Sequence, residues 1–383
     1  MAAGAPGATV PPMRTDVVVV GAGLQGCGVA LRLAQAGKDV LVLERSVPGA
    51  EASSAAGGIL SPGVEAEPGP FHDLCMASLG RWKAFAAEVE RLSGAWVAFR
   101  GGGTLEVSLD DRFTPVLAGR AASLERAGIS VEVLDGDAAR RLEPGLSAAT
   151  RGALFFPDEG SVDPRLLGRA LHAAAARAGA RFVPGQVRGI AVAGGRAAGV
   201  DHESGRIEAG AVVLAAGAWS LQVAGNGLPA GAVRPVRGQM AVLDTRPPLL
   251  SRVVFSDKGY VVPRPDGRIL CGSTMEEAGF EKAVTAGGLL RVLELAVEVA
   301  PALAAAPVVD SWSNFRPATP DGLPVLGPGG VPGLFYATGH YRNGVLLAPV
   351  TADAVADAVL GRQTPVDLAP FGPGRLAPRP AGR

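Results

Sequence analysis

The chain has 383 residues, enough for one large domain or two of ordinary size. Its 36 basic and 36 acidic side chains balance, which leaves no electrostatic footprint for nucleic acid or an anionic membrane. A hydrophobic share of 48% can build a large core, and three widely spaced cysteines (Cys27, Cys75 and Cys271), with no CxxC and no Cys/His cluster, argue against a disulfide scaffold and against a metal site.

Residues 1–13 and 372–383 read as loose tails. The leader carries a single Arg among prolines and small residues, unlike the basic and then apolar run of a signal peptide. Val17–Leu31 is nearly free of charge, but it is shorter than the roughly 20 residues a spanning helix needs, and glycines interrupt it. The expectation is a soluble cytoplasmic protein.

The first element is DVVVVGAGLQGCGVALRLAQAGKDVLVLER. Val17–Val20 is a β-branched run suited to a strand buried on both faces. Val29, Ala30, Leu33 and Ala34 repeat at helical spacing, Gly37 ends that helix, and Val40–Leu43 forms a second strand closed by Glu44. Further along, 71–93 reads as helix, 96–109 as strand broken by Gly101–Gly103, and 115–128 and 164–179 as helices. Ala211–Ala215 and Leu334–Ala337 read as buried strands, and 233–275 as several strands with turns. Helices follow over 286–300 and Asn343–Leu360. This order suggests an α/β nucleotide domain assembled from distant segments, with an antiparallel sheet inserted between them.

Gly21-x-Gly23-x-x-Gly26 lies between a strand and a helix and leads to an acidic residue at the end of the next strand. In that context the glycines allow a tight turn and close backbone approach. The helix N-terminus then holds a pyrophosphate, and Glu44 accepts hydrogen bonds from a ribose. NAD and FAD both satisfy this pattern. Two later strand–glycine ends, Val212–Gly217 and Phe335–His340, favour a flavin, because two-dinucleotide flavoproteins return such ends to the phosphate crevice. The chain carries neither a second GxGxxG for NADPH nor a CxxxxC redox pair, so the reductant is expected to be the substrate itself.

Six blocks carry a resemblance: GAGLQGCGVALRLAQAGKDVLVLER, SSAAGGILSP, SVDPRLLGRAL, GYVVPRPDGRILCGSTM, WSNFRPATPDGLPVLG and YATGHYRNGVLLAP. In order and spacing the chain resembles the D-amino-acid oxidase/sarcosine oxidase family, and within it the glycine oxidases of thiamin biosynthesis. The resemblance implies an α/β (α+β overall) flavoprotein of the glutathione-reductase type 2 architecture. Its Rossmann-like FAD-binding domain would comprise 14–92, 150–225 and 320–371, and its antiparallel substrate domain 93–149 and 226–319.

The resemblance also implies roles. Leu24, Gln25, Glu44 and Arg45 fall where the family holds the ADP half of FAD. Ser53 and Ser54, with Gly57, Gly58 and Ile59, fall beside the pyrophosphate and flavin, and Val187 falls where a backbone amide meets the adenine. Gly217 and Gly339 end the two returning strands. His340, Tyr341, Arg342, Asn343, Gly344, Val345 and Leu346 match the loop that wraps the isoalloxazine. Gly344 is read as opening the last helix, to Leu360, and the positive end of that helix would favour the reduced flavin. Arg316 matches the arginine that pairs with the substrate carboxylate, for which a guanidinium fork is suited. Tyr260 matches the tyrosine that shares this carboxylate, and Arg342 a further active-site arginine.

The implied reaction is oxidative deamination of glycine, sarcosine or a small D-amino acid. Hydride passes from Cα to flavin N5, and O2 is the acceptor and yields H2O2; the imine would serve thiamin thiazole synthesis. Two alternatives stay open: a dehydrogenase that uses a quinone or carrier, and a non-catalytic flavin-binding subunit. Lys258 stands where glycine oxidases often carry His. No cysteine lies near Phe315–Arg316, where sarcosine oxidases attach their flavin, so FAD is expected to be non-covalent. The family analogy also implies a homo-oligomer.

Overall fold

The computed structural model describes residues 13–65, 69–110 and 114–377. Two large sheets dominate. The first contains β1 (Met13–Val20), β2 (Val40–Glu44), β8 (Arg181–Pro184), β9 (Val187–Ala193), β10 (Arg196–His202), β11 (Gly205–Leu214), β17 (Val325–Pro328) and β18 (Leu334–Thr338). Its main path runs β17-β18-β11-β1-β2-β8, with β10 and β9 continuing from β11 as an antiparallel meander. The pairs β18/β11, β11/β1, β1/β2 and β2/β8 are parallel. A parallel sheet is covered on both faces, which explains why Val17, Val18, Val19 and Val20 are consecutive and all buried.

The second sheet contains β4 (Thr104–Ser108), β5 (Glu132–Asp135), β6 (Gly152–Phe156), β12 (Arg234–Asp244), β13 (Val253–Ser256), β14 (Gly259–Pro263), β15 (Arg268–Gly272) and β16 (Val308–Ala318), in the order β16-β12-β15-β14-β13-β4-β6-β5. It is antiparallel except for the parallel pair β13/β4. Strand β6 belongs to this sheet, although the expected boundary at residue 150 assigns it to the nucleotide part. A two-stranded ladder of β3 (Ile59–Leu60) and β7 (Gly160–Ser161) lies apart from both sheets.

The helices are α1 (Leu24–Gln35), the single turns α2 (Ala52–Ala55) and α3 (Pro62–Glu65), α4 (Pro70–Leu79), α5 (Trp82–Ser93), α6 (Thr114–Arg126), α7 (Gly136–Leu142), α8 (Pro164–Arg177), α9 (Ala286–Val299) and α10 (Ala348–Val359). α1 follows β1 and packs on α8 and α10. A Cβ at Gly28 would lie 3.0 Å from Ala352 Cβ, so this glycine allows α1 and α10 to approach closely.

Several expectations change. The helix expected over 71–93 is two helices, α4 and α5, which meet at Gly80–Arg81. The strands expected over 96–109 reduce to β4, because Gly102 and Gly103 adopt positive φ. Strands β8, β9 and β10 occupy 181–202, where the sequence reading names no element.

The last helix starts at Ala348 and not at Asn343. Pro349 has no N–H to continue the ladder. The Leu346 carbonyl, which would serve the helix, instead accepts from Ser78 Oγ at 2.7 Å and Trp82 Nε1 at 2.8 Å. Residues 372–377, expected as part of a tail, are held by Arg375, whose Nε lies 2.8 Å from Asp321 Oδ2 and whose Nη2 lies 2.7 Å from the Leu323 carbonyl. The remainder of the expected tails, 1–12 and 378–383, lies outside the described residues.

Candidate active site

A cavity of about 480 Å3 runs from the Gly21–Gln25 turn of the first sheet to Tyr260 and Arg316 of the second. At its first end, Gly21 has φ +101°, and a Cβ there would lie 2.6 Å from the Ala215 carbonyl oxygen. Gly26 does not line the cavity. A Cβ there would collide with the Gly21 carbonyl, so its absence lets α1 fold tightly onto the turn. Ser53 Oγ accepts from Leu24 N at 3.0 Å and so caps the start of α1 from outside the helix. Glu44 ends β2 with its carboxylate held by Ala22 N at 2.9 Å and Ser46 N at 3.0 Å, both within the cavity wall or next to it.

Gln25 donates through Nε2 to the Gly344 carbonyl at 2.6 Å, while its Oε1 is buried with no hydrogen-bond partner among the described residues. A buried acceptor without a donor is costly, so this atom awaits a ligand donor. Arg45 lies over the Trp219 ring, with Cζ 4.0 Å from the centroid. Val187 and Gly217 line the same end.

Gly57, Gly58 and Ile59 line the cavity, with Gly57 close against the Tyr260 ring. Ser54 does not; its hydroxyl donates to the Glu51 carbonyl at 3.2 Å within its own turn. On the opposite wall, His340, Tyr341, Arg342, Asn343, Gly344 and Val345 form a turn rather than helix. Leu346 does not line the cavity and is anchored to α4 and α5 through its carbonyl. Gly339 sits just outside the wall at φ +72°. With the last helix beginning at Ala348, the peptide groups nearest the cavity belong to this turn, so the helix-terminus argument made for Gly344 does not apply. His340 is buried, its Nε2 lies 3.1 Å from Thr351 Oγ1, and burial pushes the imidazole down to about 3, which keeps it neutral.

The far end carries Tyr260 on β14 and Arg316 on β16, both half-buried. Arg316 donates through Nη1 to the Thr274 carbonyl at 3.1 Å and through Nη2 to Ser273 Oγ. Among the described residues it has no carboxylate partner. Tyr260 donates to Ser273 Oγ at 3.2 Å. Met240, Phe255 and Ile59 supply apolar wall around them.

The Lys258 ammonium is taken up by α9, with Glu298 Oε2 at 2.6 Å and Oε1 at 2.8 Å. The carboxylate next to it therefore raises its pKa, and its charge is balanced away from the Arg316 end. Ser273, Thr274, Gly238 and Trp219 are absent from the residues expected from sequence. Only Gly238 and Ser273, a glycine inside one strand and a serine just beyond another, carry even a weak local sign.

The geometry agrees with comparisons to known proteins. The model of the family described as FAD dependent oxidoreductase (DAO) matches residues 16–358. The chain belongs to this FAD-dependent oxidoreductase family. Among relatives, the bifunctional protein ThiO/ThiG of Synechocystis sp. is 36% identical over 94% of the chain, and the glycine oxidase of Pseudomonas aeruginosa is 36% identical over 95% of it. The chain covers all of the latter but 54% of the former, so it spans about half the length of that bifunctional relative. The crystal structure of glycine oxidase from Geobacillus kaustophilus aligns with a TM-score of 0.89 at 35% identity, covering 94% of this chain and 98% of that one.

The residues present fit the family's cofactor. A glycine-walled cradle, the Glu44 carboxylate and the donor-less Gln25 Oε1 all lie along one elongated cavity. The three cysteines are buried and none lines it. Among the described residues, no helix is long and apolar enough to cross a membrane.

Proposed function

We propose that the protein oxidatively deaminates glycine or a similarly small amino acid, with FAD as cofactor and O2 as acceptor. The observation that carries this reading is Arg316, a half-buried cation in the cavity wall with no acidic partner among the described residues and with Tyr260 beside it. A planar guanidinium in that position suits a carboxylate. FAD, when bound, supplies a two-electron acceptor for the hydride at the substrate Cα and returns the electrons to O2 as H2O2.

This chain's own residues would do the rest. Gln25, Glu44, Ser53 and the 340–345 turn hold the cofactor. Arg316 and Tyr260 hold the carboxylate and so fix the amine and Cα. Met240, Phe255 and Ile59 keep water from the reacting end. His340 is neutral and engaged with Thr351, and Glu106 pairs with Arg120. Neither is offered as a base, so the substrate amine sheds its proton to solvent before reaction.

Similarity to glycine oxidases and to ThiO/ThiG supports both the substrate and use of the imine in thiamin synthesis. A homo-oligomer in the cytoplasm completes the reading by family analogy. The test is anaerobic flavin bleaching by a panel of small amino acids, followed by H2O2 release in air. Glycine is expected to bleach wild type, and Arg316→Leu to need at least about 100-fold more glycine, because two charge-assisted hydrogen bonds are lost. A panel that never bleaches the bound flavin overturns the reading, and turnover with a dye but not with O2 overturns the choice of acceptor.

A further inference from the structure

We propose that Ser273 is a positioning residue that sets Arg316 and Tyr260 for one carboxylate, and that Gly238 is the gap through which Arg316 reaches it. The proposal rests on the carboxylate-clamp reading above.

The sheet makes the problem plain. Arg316 is on β16 and Tyr260 on β14, with β12 and β15 between them. Neighbouring strands lie about 4.8 Å apart, so the two backbones are separated by roughly three such spacings. Register puts the relevant positions on one face. Arg316 pairs with Val236, and Gly238 is the diagonal neighbour two residues on. Met240 pairs with Gly272, and Gly272 with Tyr260. The Arg316 side chain must therefore cross β12 at residue 238 to reach the chain that leaves β15.

Residue 238 has no side chain to block it. A Cβ there would lie 2.7 Å from Arg316 Cζ and closer still to both terminal nitrogens. Beyond that gap the guanidinium meets two acceptors on successive residues, the Ser273 hydroxyl and the Thr274 carbonyl. Bonds from two different nitrogens of a planar group fix its plane as well as its position. The Ser273 oxygen also accepts from Tyr260 OH at 3.2 Å. A hydroxyl oxygen has two lone pairs, and here each serves one member of the clamp. A single oxygen thus sets the spacing between the two carboxylate-binding groups. Ser273 acts through its neighbours. The carboxylate itself is bound by Arg316, and by Tyr260 once its single phenol proton turns from the Ser273 oxygen to the carboxylate, whereupon the Ser273 hydroxyl donates to the Tyr260 oxygen and keeps the pair together.

The experiment uses holoenzyme and two readouts: the Kd of acetate, read from perturbation of the flavin absorbance, and the KM and kcat for glycine. Ser273→Ala is expected to raise acetate Kd and glycine KM about tenfold with a smaller change in kcat, as loss of one hydrogen bond to a charged group implies. Gly238→Ala is expected to raise both by more, because it displaces the guanidinium itself, and Ser273→Thr is expected to restore both. In an Arg316→Leu background, Ser273→Ala should add less than about twofold to acetate Kd, a coupling that a merely structural role would not produce.

If Arg316→Leu itself leaves acetate binding unchanged, the clamp reading falls. If Arg316→Leu abolishes binding while Ser273→Ala and Gly238→Ala bind acetate like wild type, only the present proposal falls. If Gly238→Ala loses flavin, the Ser273→Thr and Ser273→Ala holoenzymes decide through the ratio of their acetate Kd values, and a ratio near one overturns the proposal.

Discussion

Glu159 provides a test of the buried chemistry beside the second sheet. Its carboxylate accepts from Ser61 Oγ, from Thr104 Oγ1 and, at 2.7 Å, from Gly63 N. Burial pushes the group up from 4.5 to about 7, against the pull of those three donors and of the Arg120 charge. The folded state therefore holds this proton more tightly than the unfolded chain. Stability from the group is fully present below pH 4.5 and is lost as pH rises through about 7. The shift corresponds to about 3 kcal/mol, at roughly 1.4 kcal/mol per pH unit.

His340 acts in the opposite direction. Its folded value is depressed to about 3, so its contribution falls as pH drops below 6.5. The total pH profile mixes the two, and a difference measurement isolates Glu159. We expect the stability of wild type minus that of Glu159→Gln to fall by about 3 kcal/mol between pH 4.5 and pH 8. Denaturant unfolding of both proteins at fixed excess FAD measures it, since bound ligand also shifts stability. A difference that stays flat within about 1 kcal/mol across that range refutes the assignment of a neutral buried carboxyl.

Two further outcomes concern the cofactor end. Gly26→Ala drives a methyl group into the Gly21 carbonyl, a backbone atom that no side-chain rotation can move; the variant should purify colourless, with a flavin-to-protein absorbance ratio near zero, and a yellow variant contradicts the role given to this glycine. Trp82→Phe removes the 2.8 Å hydrogen bond to the Leu346 carbonyl and part of a fully buried ring, which costs about 2–3 kcal/mol. Thermal unfolding should show the loss, and flavin fluorescence should show FAD dissociating at several-fold higher concentration; a fall in Tm with unchanged FAD affinity separates the anchor from the cofactor turn.

What the sequence made legible follows the range of the interactions. The β1–α1–β2 unit could be read because its signals are local: four consecutive valines, glycines at a fixed spacing and an acidic residue closing the next strand. Tyr260 and Arg316 came from resemblance, since nothing local distinguishes either residue from an ordinary strand position. Ser273 and Gly238 carry only a weak local sign, too little to mark them as part of the site. Their importance arises from register across four strands, and it appears only when β12 is known to lie between β16 and β15. The start of the last helix failed for the same reason. Asn343 to Val359 has helical composition, but the Leu346 carbonyl is captured by Trp82, 264 residues earlier in the chain. Long-range hydrogen bonds of this kind overrule a local preference worth a few tenths of a kcal/mol.

The segment from Glu51 to Gly57 ties the two ends of the cavity, the Gly21–Gln25 turn and the Tyr260–Arg316 pair, into one site. It continues from the nucleotide-binding unit, yet three side chains from the other half of the molecule hold it. Lys282 pairs with Glu51 at 2.7 Å, Trp312 Nε1 donates to the Ala55 carbonyl at 3.1 Å, and Arg264 Nη2 donates to the Gly57 carbonyl at 2.9 Å. Arg264 is 4% exposed, and burial brings its pKa down to about 10, so it stays charged at neutral pH. Its second bond, 2.9 Å to the Val162 carbonyl, and Asp163 at 3.9 Å compensate that buried charge. The carbonyls it serves would be left unsatisfied without it. Gly57 is thereby held against Tyr260, where a Cβ would lie 3.2 Å from the ring. One backbone segment thus lines the cavity both beside the glycine turn and beside Tyr260. A change that shifts Gly57 must therefore alter cofactor affinity and carboxylate affinity together, whereas a change at Ser273 alters the second alone.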